Sequence, residues 1–245
     1  MSFANESSSA IEKALQEGEI ILKGQFVLGY NFTFLASIQF SGREIAAIYK
    51  PRRGEQPLWD FPPHTLAQRE VAAYLCSQAL AWGLVPVTIL RSDGPFGPGS
   101  LQQFIDYDPG YHYFNFSSTD RQRLLNVALF DLLVNNADRK GGHILVERMT
   151  NRLQLIDHGL CFHEQDKLRT VVWDFSGQVI PAELLRSLEA FHEQLGPDGA
   201  LAHTLQGYLS PSELDALNRR AARLLQEGRY PFPPQDRRAY PYPPL

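Results

Sequence analysis

The sequence predicts a two-lobed α+β fold, a strand-rich first half with one helix followed by a helix-rich second half carrying one small hairpin. Three observations carry this reading. Short apolar runs broken by glycine and polar turns fill the first hundred residues, capped segments with apolar stripes fill the second half, and 245 residues suffice for one large domain or two lobes sharing a core. The expected division is 1–105 and 106–245.

In chain order, Gly24–Leu28 and Phe32–Ile38 read as strands around a Gly29-Tyr30-Asn31 break, and a Ser41-Gly42 turn leads to a strand over Glu44–Lys50. After a proline-rich connection, Thr65 with Gln68 has capping-box spacing and starts a helix that runs to about Leu80. Strands return at Val87–Leu90 and Leu101–Ile105. Thr119 and Gln122 repeat the capping spacing before a stripe of Leu125, Leu129, Leu132 and Leu133. Ile144–Val146 and Leu153–Ile156 form a hairpin around Thr150-Asn151, and helices follow near Pro181–Leu195 and Pro211–Gln226. The last of these has Ser210 as cap, Pro211 at the first position, Glu213 at the third and Gly228 beyond its end. The closing run, Tyr230–Pro234 through Tyr240–Pro244, cannot form helix or inner strand because proline lacks the donor. It is expected to lie along its own domain.

Composition excludes several classes. There are 23 basic and 27 acidic residues, for a formal charge of −4, and a dedicated nucleic-acid binder needs a clustered basic excess instead. Two cysteines, Cys76 and Cys161, are too few for a disulfide scaffold and point to a reducing compartment. No apolar run reaches the ~20 residues of a membrane helix, and the first residues have no secretion-signal pattern. The expectation is a cytoplasmic protein without integral membrane association; its oligomeric state is open.

Asp138 and Asp157 bracket the small hairpin, so its closure brings both carboxylates to a common space, with His143 close to each. Lys50 ends a strand of the other half, and Glu70 lies near the start of the helix beside it. Carboxylates opposite a lysine anchored by a glutamate suit a metal-bound polyphosphate, because Mg²⁺ is typically held by one or two carboxylates plus phosphate oxygens.

The order Lys50, Glu70, Asn136-Ala137-Asp138-Arg139, His143, Asp157-His158-Gly159 resembles the protein-kinase-like superfold, in which a small strand-rich N-lobe covers a helical C-lobe. Ile48-Tyr49-Lys50-Pro51 is similar to the lysine strand of type II phosphatidylinositol 4-kinases. Arg69-Glu70-Val71-Ala72-Ala73-Tyr74 resembles the glutamate helix of those enzymes and of the secreted kinases, and Leu155-Ile156-Asp157-His158-Gly159-Leu160 their metal-binding motif. The resemblance is thus to the phosphatidylinositol 3- and 4-kinase-like branch, including a bacterial family distantly similar to the type II enzymes. It covers roughly residues 24 to 160.

The resemblance implies ATP as the nucleotide and Mg²⁺ or Mn²⁺ as the metal. Lys50 would contact the α- and β-phosphates, oriented by Glu70; Asp138 would orient or deprotonate the acceptor hydroxyl; Asp157 would ligate the metal. Gly29-Tyr30-Asn31-Phe32 would lie over the phosphates, and Gln102, Gln103 and Phe104 would present hinge groups to adenine. Where the family has a metal-binding asparagine, five residues after the loop aspartate, this chain has His143. Imidazole favours Mn²⁺ or softer metals more than an amide oxygen does.

Each feature also admits a plain structural role: a solvated lysine, a glutamate complementing a helix dipole, a loop ion pair at Asp138-Arg139. His158, Cys161 and His163 lack a partner pair at zinc-finger spacing, and Trp59, Trp82 and Trp173 read as core or lobe-packing residues. The combined order favours an ATP-dependent phosphotransferase acting on a hydroxyl of an unidentified lipid, small molecule or protein. The alternatives are a nucleotide-binding pseudokinase module, an AMP transferase on the same fold, and an unrelated fold with chance motif matches. About two dozen residues separate Asp157 from Pro181 and contain no Ala-Pro-Glu, so a standard peptide-docking platform is not expected; nor does a basic membrane-binding stretch support a lipid acceptor.

Overall fold

The computed structural model describes residues 7–26 and 31–245. A helix α1 (Ser8–Glu17) opens the described chain; Ser7 caps it by accepting the Ala10 amide, and Ile11, Ala14 and Leu15 form its buried face. This helix is absent from the sequence reading. Its polar composition hides the three buried apolar positions that hold it on the sheet.

Five antiparallel strands follow the order β1-β2-β3-β5-β4: β1 (Glu19–Phe26), β2 (Thr33–Phe40), β3 (Arg43–Pro51), β4 (Thr88–Arg91) and β5 (Gly99–Gln103). β1 starts five residues before the expected Gly24, because Glu19 to Leu22 pair with Gln39 to Ala36; the register shifts between Leu22 and Gly24. Arg91 of β4 donates to the carbonyls of Leu15 and Gly18, closing the C-terminal end of α1 onto the sheet.

Helix α2 (Leu66–Ala79) packs against this sheet. Its expected Thr65 cap is corrected. Thr65 has helical backbone angles and donates its hydroxyl to Pro62 O, while the Leu66 and Ala67 amides are taken by the Glu55 carboxylate at 3.3 and 3.1 Å. A carboxylate from the preceding loop outcompetes the local hydroxyl at an electropositive helix start. The Thr119 cap is corrected too: Ser117 caps a short α3 (Ser118–Gln122), and a separate α4 (Leu125–Val134) follows. α4 is buried at every position from Val127 to Val134, so it is a central core helix rather than an amphipathic stripe.

The hairpin β6 (Ile144–Val146) and β7 (Leu153–Leu155) forms as expected. The helices α5 (Ala182–Gln194), α6 (Ala200–Leu205) and α7 (Pro211–Glu227) complete the second half, α6 being unforeseen. At α7 the capping box of Ser210 and Glu213 is present, and Gly228 takes φ 57°, where glycine carries no Cβ penalty. The proline-rich tail lies on this half as expected. Gly177 donates to Tyr230 O at 2.8 Å, Thr170 to Ala239 O at 3.1 Å and Gly141 to Pro244 O at 2.8 Å.

One hydrophobic core joins α1, the sheet, α2 and the later helices. Trp82 and Trp173 pack against it, but Trp59 is 90% exposed and belongs to no core; it lies under the Lys167 ammonium, 4.8 Å from its ring centre. No helix among the described residues is long and apolar enough to cross a membrane.

Candidate functional site

Lys50 is carried by β3, paired opposite Ser100, and reaches from the sheet toward α2 and the hairpin. Its ammonium is ion-paired with Glu70 Oε1 and lies 3.1 Å from Asp157 Oδ1. Burial pushes the lysine pKa down, but the Asp157 and Glu70 carboxylates outweigh it and hold the group above its usual range. The reciprocal effect of Lys50 holds the Asp157 carboxyl well below the usual carboxylate range, against burial. Glu70 is fixed at its other oxygen by the His158 backbone N–H at 2.9 Å. Lysine, glutamate and aspartate from three separate elements are thus one charged cluster.

Hairpin closure delivers His143. Ile156 donates to His143 O at 3.1 Å, and His143 Nε2 stands 3.4 Å from Asp157 Oδ2. Burial lowers the imidazole pKa to about 4, so it is neutral near pH 7. Asp157 has φ 63°, the left-handed region that aspartate tolerates better than most residues. Asp138 lies in the loop after α4, its amide donating to Asn136 Oδ1 at 2.9 Å and its carboxylate 3.3 Å from the Lys140 ammonium. Burial raises the Asp138 pKa above the ordinary value, Lys140 opposes the shift and the nearby Asp157 charge adds to it. Lys140, two residues past Asp138, was missed from the sequence; the only signal was a cation inside the loop.

Beneath these groups is a buried brace. Arg139 and Asp131 are fully buried and paired at 3.0 Å, and Thr170 donates to the same aspartate at 2.9 Å. Arg139 also donates to Ile156 O at 2.8 Å and meets His158 Nε2 at 2.8 Å. Arginine can only donate, so His158 Nε2 accepts and its proton sits on Nδ1. Burial, with the Arg139 charge, keeps that imidazole neutral. Arg139 therefore fixes the Asp138 loop against the Asp157 strand end. The plain loop ion pair considered for Asp138-Arg139 is instead an Arg139–Asp131 pair inside the core.

The remaining candidates are placed differently. Asn31 Oδ1 accepts from the Gln56 amide at 2.8 Å and Phe32 N–H donates to Gly54 O at 3.1 Å, so both pin the loop after β3; Gly29 and Tyr30 lie outside the described residues. Gln102 is buried with its side chain on Thr88, and the amides of Gln103 and Phe104 donate to Val87 O and Ala46 O. Among the described residues the next amide, Ile105, has no such backbone partner. Cys161 is buried and both ring nitrogens of His163 are engaged, by Asp60 O and the Gln165 amide, so no zinc site forms at that run.

Among the described residues no three His, Cys, Asp or Glu side chains converge to hold a metal alone. Asp157 and neutral His143 supply two adjacent donors, a set that fits a divalent cation completed by phosphate oxygens.

The model of the family described as phosphatidylinositol 3- and 4-kinase matches residues 64–210. That span holds Glu70, Asp138, His143 and Asp157 but begins after Lys50, and it extends beyond residue 160. Protein Rv2133c of Mycobacterium tuberculosis (strain ATCC 25618 / H37Rv) is 39% identical over 264 residues, covering 94% of this chain and 93% of that protein. Phosphatidylinositol 4-kinase gamma 4 of Oryza sativa subsp. japonica is 31% identical over 124 residues, 44% of this chain and 22% of the rice protein. Among solved structures, the Golgi casein kinase with Mn/ADP bound matches at a TM-score of 0.58 and 14% identity, over 89% of this chain and 74% of that one. The fold is kinase-like, and by the extent of the family match and of its bacterial relative this chain belongs to the phosphatidylinositol 3- and 4-kinase family.

Proposed function

We propose that the chain is an ATP-dependent phosphotransferase that moves the γ-phosphoryl group to a hydroxyl of an acceptor. The observation that carries this is the Lys50 ammonium between Glu70 and Asp157, with Asp138 in the loop near enough to Asp157 for that charge to act on it. Lys50, fixed by Glu70, binds the α- and β-phosphate oxygens. Asp138 accepts the proton of the acceptor hydroxyl as its oxygen bonds to the γ-phosphorus and the bond to the β-phosphate oxygen breaks, releasing ADP. Its raised pKa suits a base that must take up a proton, and Lys140 offsets charge on the group in transit. Asp157 and His143 would hold Mg²⁺ or Mn²⁺, which neutralises phosphate charge when bound. The Ile105 amide is the donor this reading gives to the adenine.

One observation favours a second reading, the nucleotide-binding pseudokinase: His143 stands against Asp157 where the family carries an asparagine. Incubation with γ- and α-labelled ATP, alone and with candidate alcohols, under Mg²⁺ and Mn²⁺ separates the outcomes. Phosphotransfer predicts ADP formation and γ-label on the acceptor, falling by ~10²–10⁴-fold in Asp138→Asn with nucleotide binding kept. Binding without turnover would assign the regulatory module, and α-label on the product an AMP transferase.

A further inference from the structure

The proline-rich tail crosses from the segment after Asp157 to the loop of Asp138. Ala239 O accepts from the Thr170 amide and from Trp173 Nε1 at 3.1 and 3.2 Å, Pro241 is buried, and Pro244 O accepts the Gly141 N–H at 2.8 Å. Tyr240 and Tyr242 are exposed, so the tail is held through its backbone and prolines rather than through these rings. Pro241, Pro243 and Pro244 restrict φ and let the tail keep this course at a low entropic cost.

Gly141 opens the short turn that ends in His143. A Cβ on Gly141 would come within 2.8 Å of Phe114 Cε2, so the Phe114 ring and the Pro244 carbonyl hold this backbone with no room for a side chain. Leu245 reaches the next residue, where a Cβ on Gly142 would meet its Cδ1 at 3.8 Å, an ordinary contact distance. The turn lies between two functional groups: Lys140, just before it, is 3.3 Å from Asp138, and His143 Nε2 is 3.4 Å from Asp157 Oδ2. His143 Nδ1 is buried and has no hydrogen-bond partner among the described residues. A metal-ligating imidazole is usually oriented by a hydrogen bond at its other nitrogen; here the backbone of the turn sets the ring instead.

We propose that Pro244 and Leu245 are positioning residues for the metal: they strap the Gly141–His143 turn and through it hold the His143 imidazole against Asp157, where the two share a divalent cation. The proposal rests on the phosphotransfer reading and adds to it the element that orients the second metal donor. The strap supports rather than blocks the site, because its bond goes to a loop amide. Among the described residues none of the tail's hydrogen bonds goes to Lys50, Glu70, Asp138 or Asp157. Loss of such support behind a metal ligand typically costs ~10–100-fold in metal affinity.

The test titrates Mn²⁺ into the full chain at saturating ADP, reading free Mn²⁺ by its paramagnetic resonance and nitrogen coupled to the bound ion by electron spin echo. The parent is expected to bind Mn²⁺ with an imidazole-nitrogen coupling that is absent in His143→Ala. A chain ending after Ala239 is expected to bind Mn²⁺ ~10–100-fold more weakly, with its ADP affinity in the absence of metal unchanged. Added peptide Tyr-Pro-Tyr-Pro-Pro-Leu is expected to recover part of the loss. Leu245→Ala, which keeps the Pro244 carbonyl, is expected to lose a smaller part of the affinity and decides the matter if the shorter chain does not fold. Unchanged Mn²⁺ affinity and nitrogen coupling in the variants, or an equal loss of metal-free ADP affinity, overturns the strap. So does a parent that binds Mn²⁺ with ADP but shows no nitrogen coupling, and each of these results leaves the phosphotransfer reading standing. A parent that binds neither ADP nor Mn²⁺ overturns that reading and the strap with it.

Discussion

Arg139 shows how one side chain ties the candidate site to the core. Its guanidinium is paired with the buried Asp131 and reaches Ile156 O and His158, so removing it strands a carboxylate in the interior. Asp131 already has a raised pKa from burial, opposed first by Arg139. Arg139→Met is expected to cost ~3–5 kcal/mol, and Asp131→Leu with Arg139→Met to recover much of it, because a missing partner costs more than a missing pair; urea denaturation of the three proteins checks this. His143 makes a separate prediction. If its imidazole shares the metal with Asp157 as proposed, His143→Asn is expected to lower the ratio of Mn²⁺- to Mg²⁺-supported activity, measured as initial rates with each metal. The meeting of Lys50, Glu70 and Asp157 was legible in the sequence because their order follows that of the kinase-like motifs they resemble. The role of Arg139 was not, because adjacency to Asp138 gives no sign that its partner is Asp131, one helix end away.

At the scale of elements, caps written within a helix's own sequence were legible and those supplied from elsewhere were not. Ser210, Pro211, Glu213 and Gly228 all act at α7 as their spacing says. At α2 the local signal at Thr65 gives way to Glu55, a residue eleven positions before the amide at Leu66. Glu55→Ala is therefore expected to destabilise by ~0.5–2 kcal/mol, the usual cost of a lost cap. Because α2 carries Glu70, it should also weaken nucleotide binding, whereas Thr65→Ala leaves the cap intact; thermal melts with and without nucleotide check the contrast. Glu213 extends the same logic beyond its own helix. Besides closing the α7 capping box, it pairs with the buried Arg69 of α2, which also donates to Cys161 O at 2.6 Å. The helix that positions Lys50 is thus fastened to the second half of the chain, a connection between residues 144 positions apart that no local pattern encodes.

For the whole molecule, the strand-rich and helix-rich halves were readable from turn punctuation and apolar spacing, and they meet in one core. The course of the tail was readable only as far as its inability to form helix or sheet. Its carbonyls at Ala239 and Pro244 engage Thr170 and Gly141, so the last residues complete the surroundings of the Asp138 loop. Ending the chain after Ala239 is expected to speed amide exchange at Gly141 several-fold, the equivalent of one hydrogen bond at ~1 kcal/mol, with α7 amides unchanged; site-resolved hydrogen exchange reads this directly.

Phosphotransfer by this chain requires that Lys50, Glu70 and Asp157 form a place for a metal-bound nucleotide. Thermal unfolding with ATP and Mg²⁺ or Mn²⁺, on the parent and on Asp157→Ala, tests that most directly. At a hundredfold excess over Kd the parent should gain ~2.7 kcal/mol, a rise of about 5–10 °C for a chain of this size, and the metal-dependent part should vanish in Asp157→Ala. No stabilisation of the parent, or the same metal-dependent rise in both proteins, would contradict it.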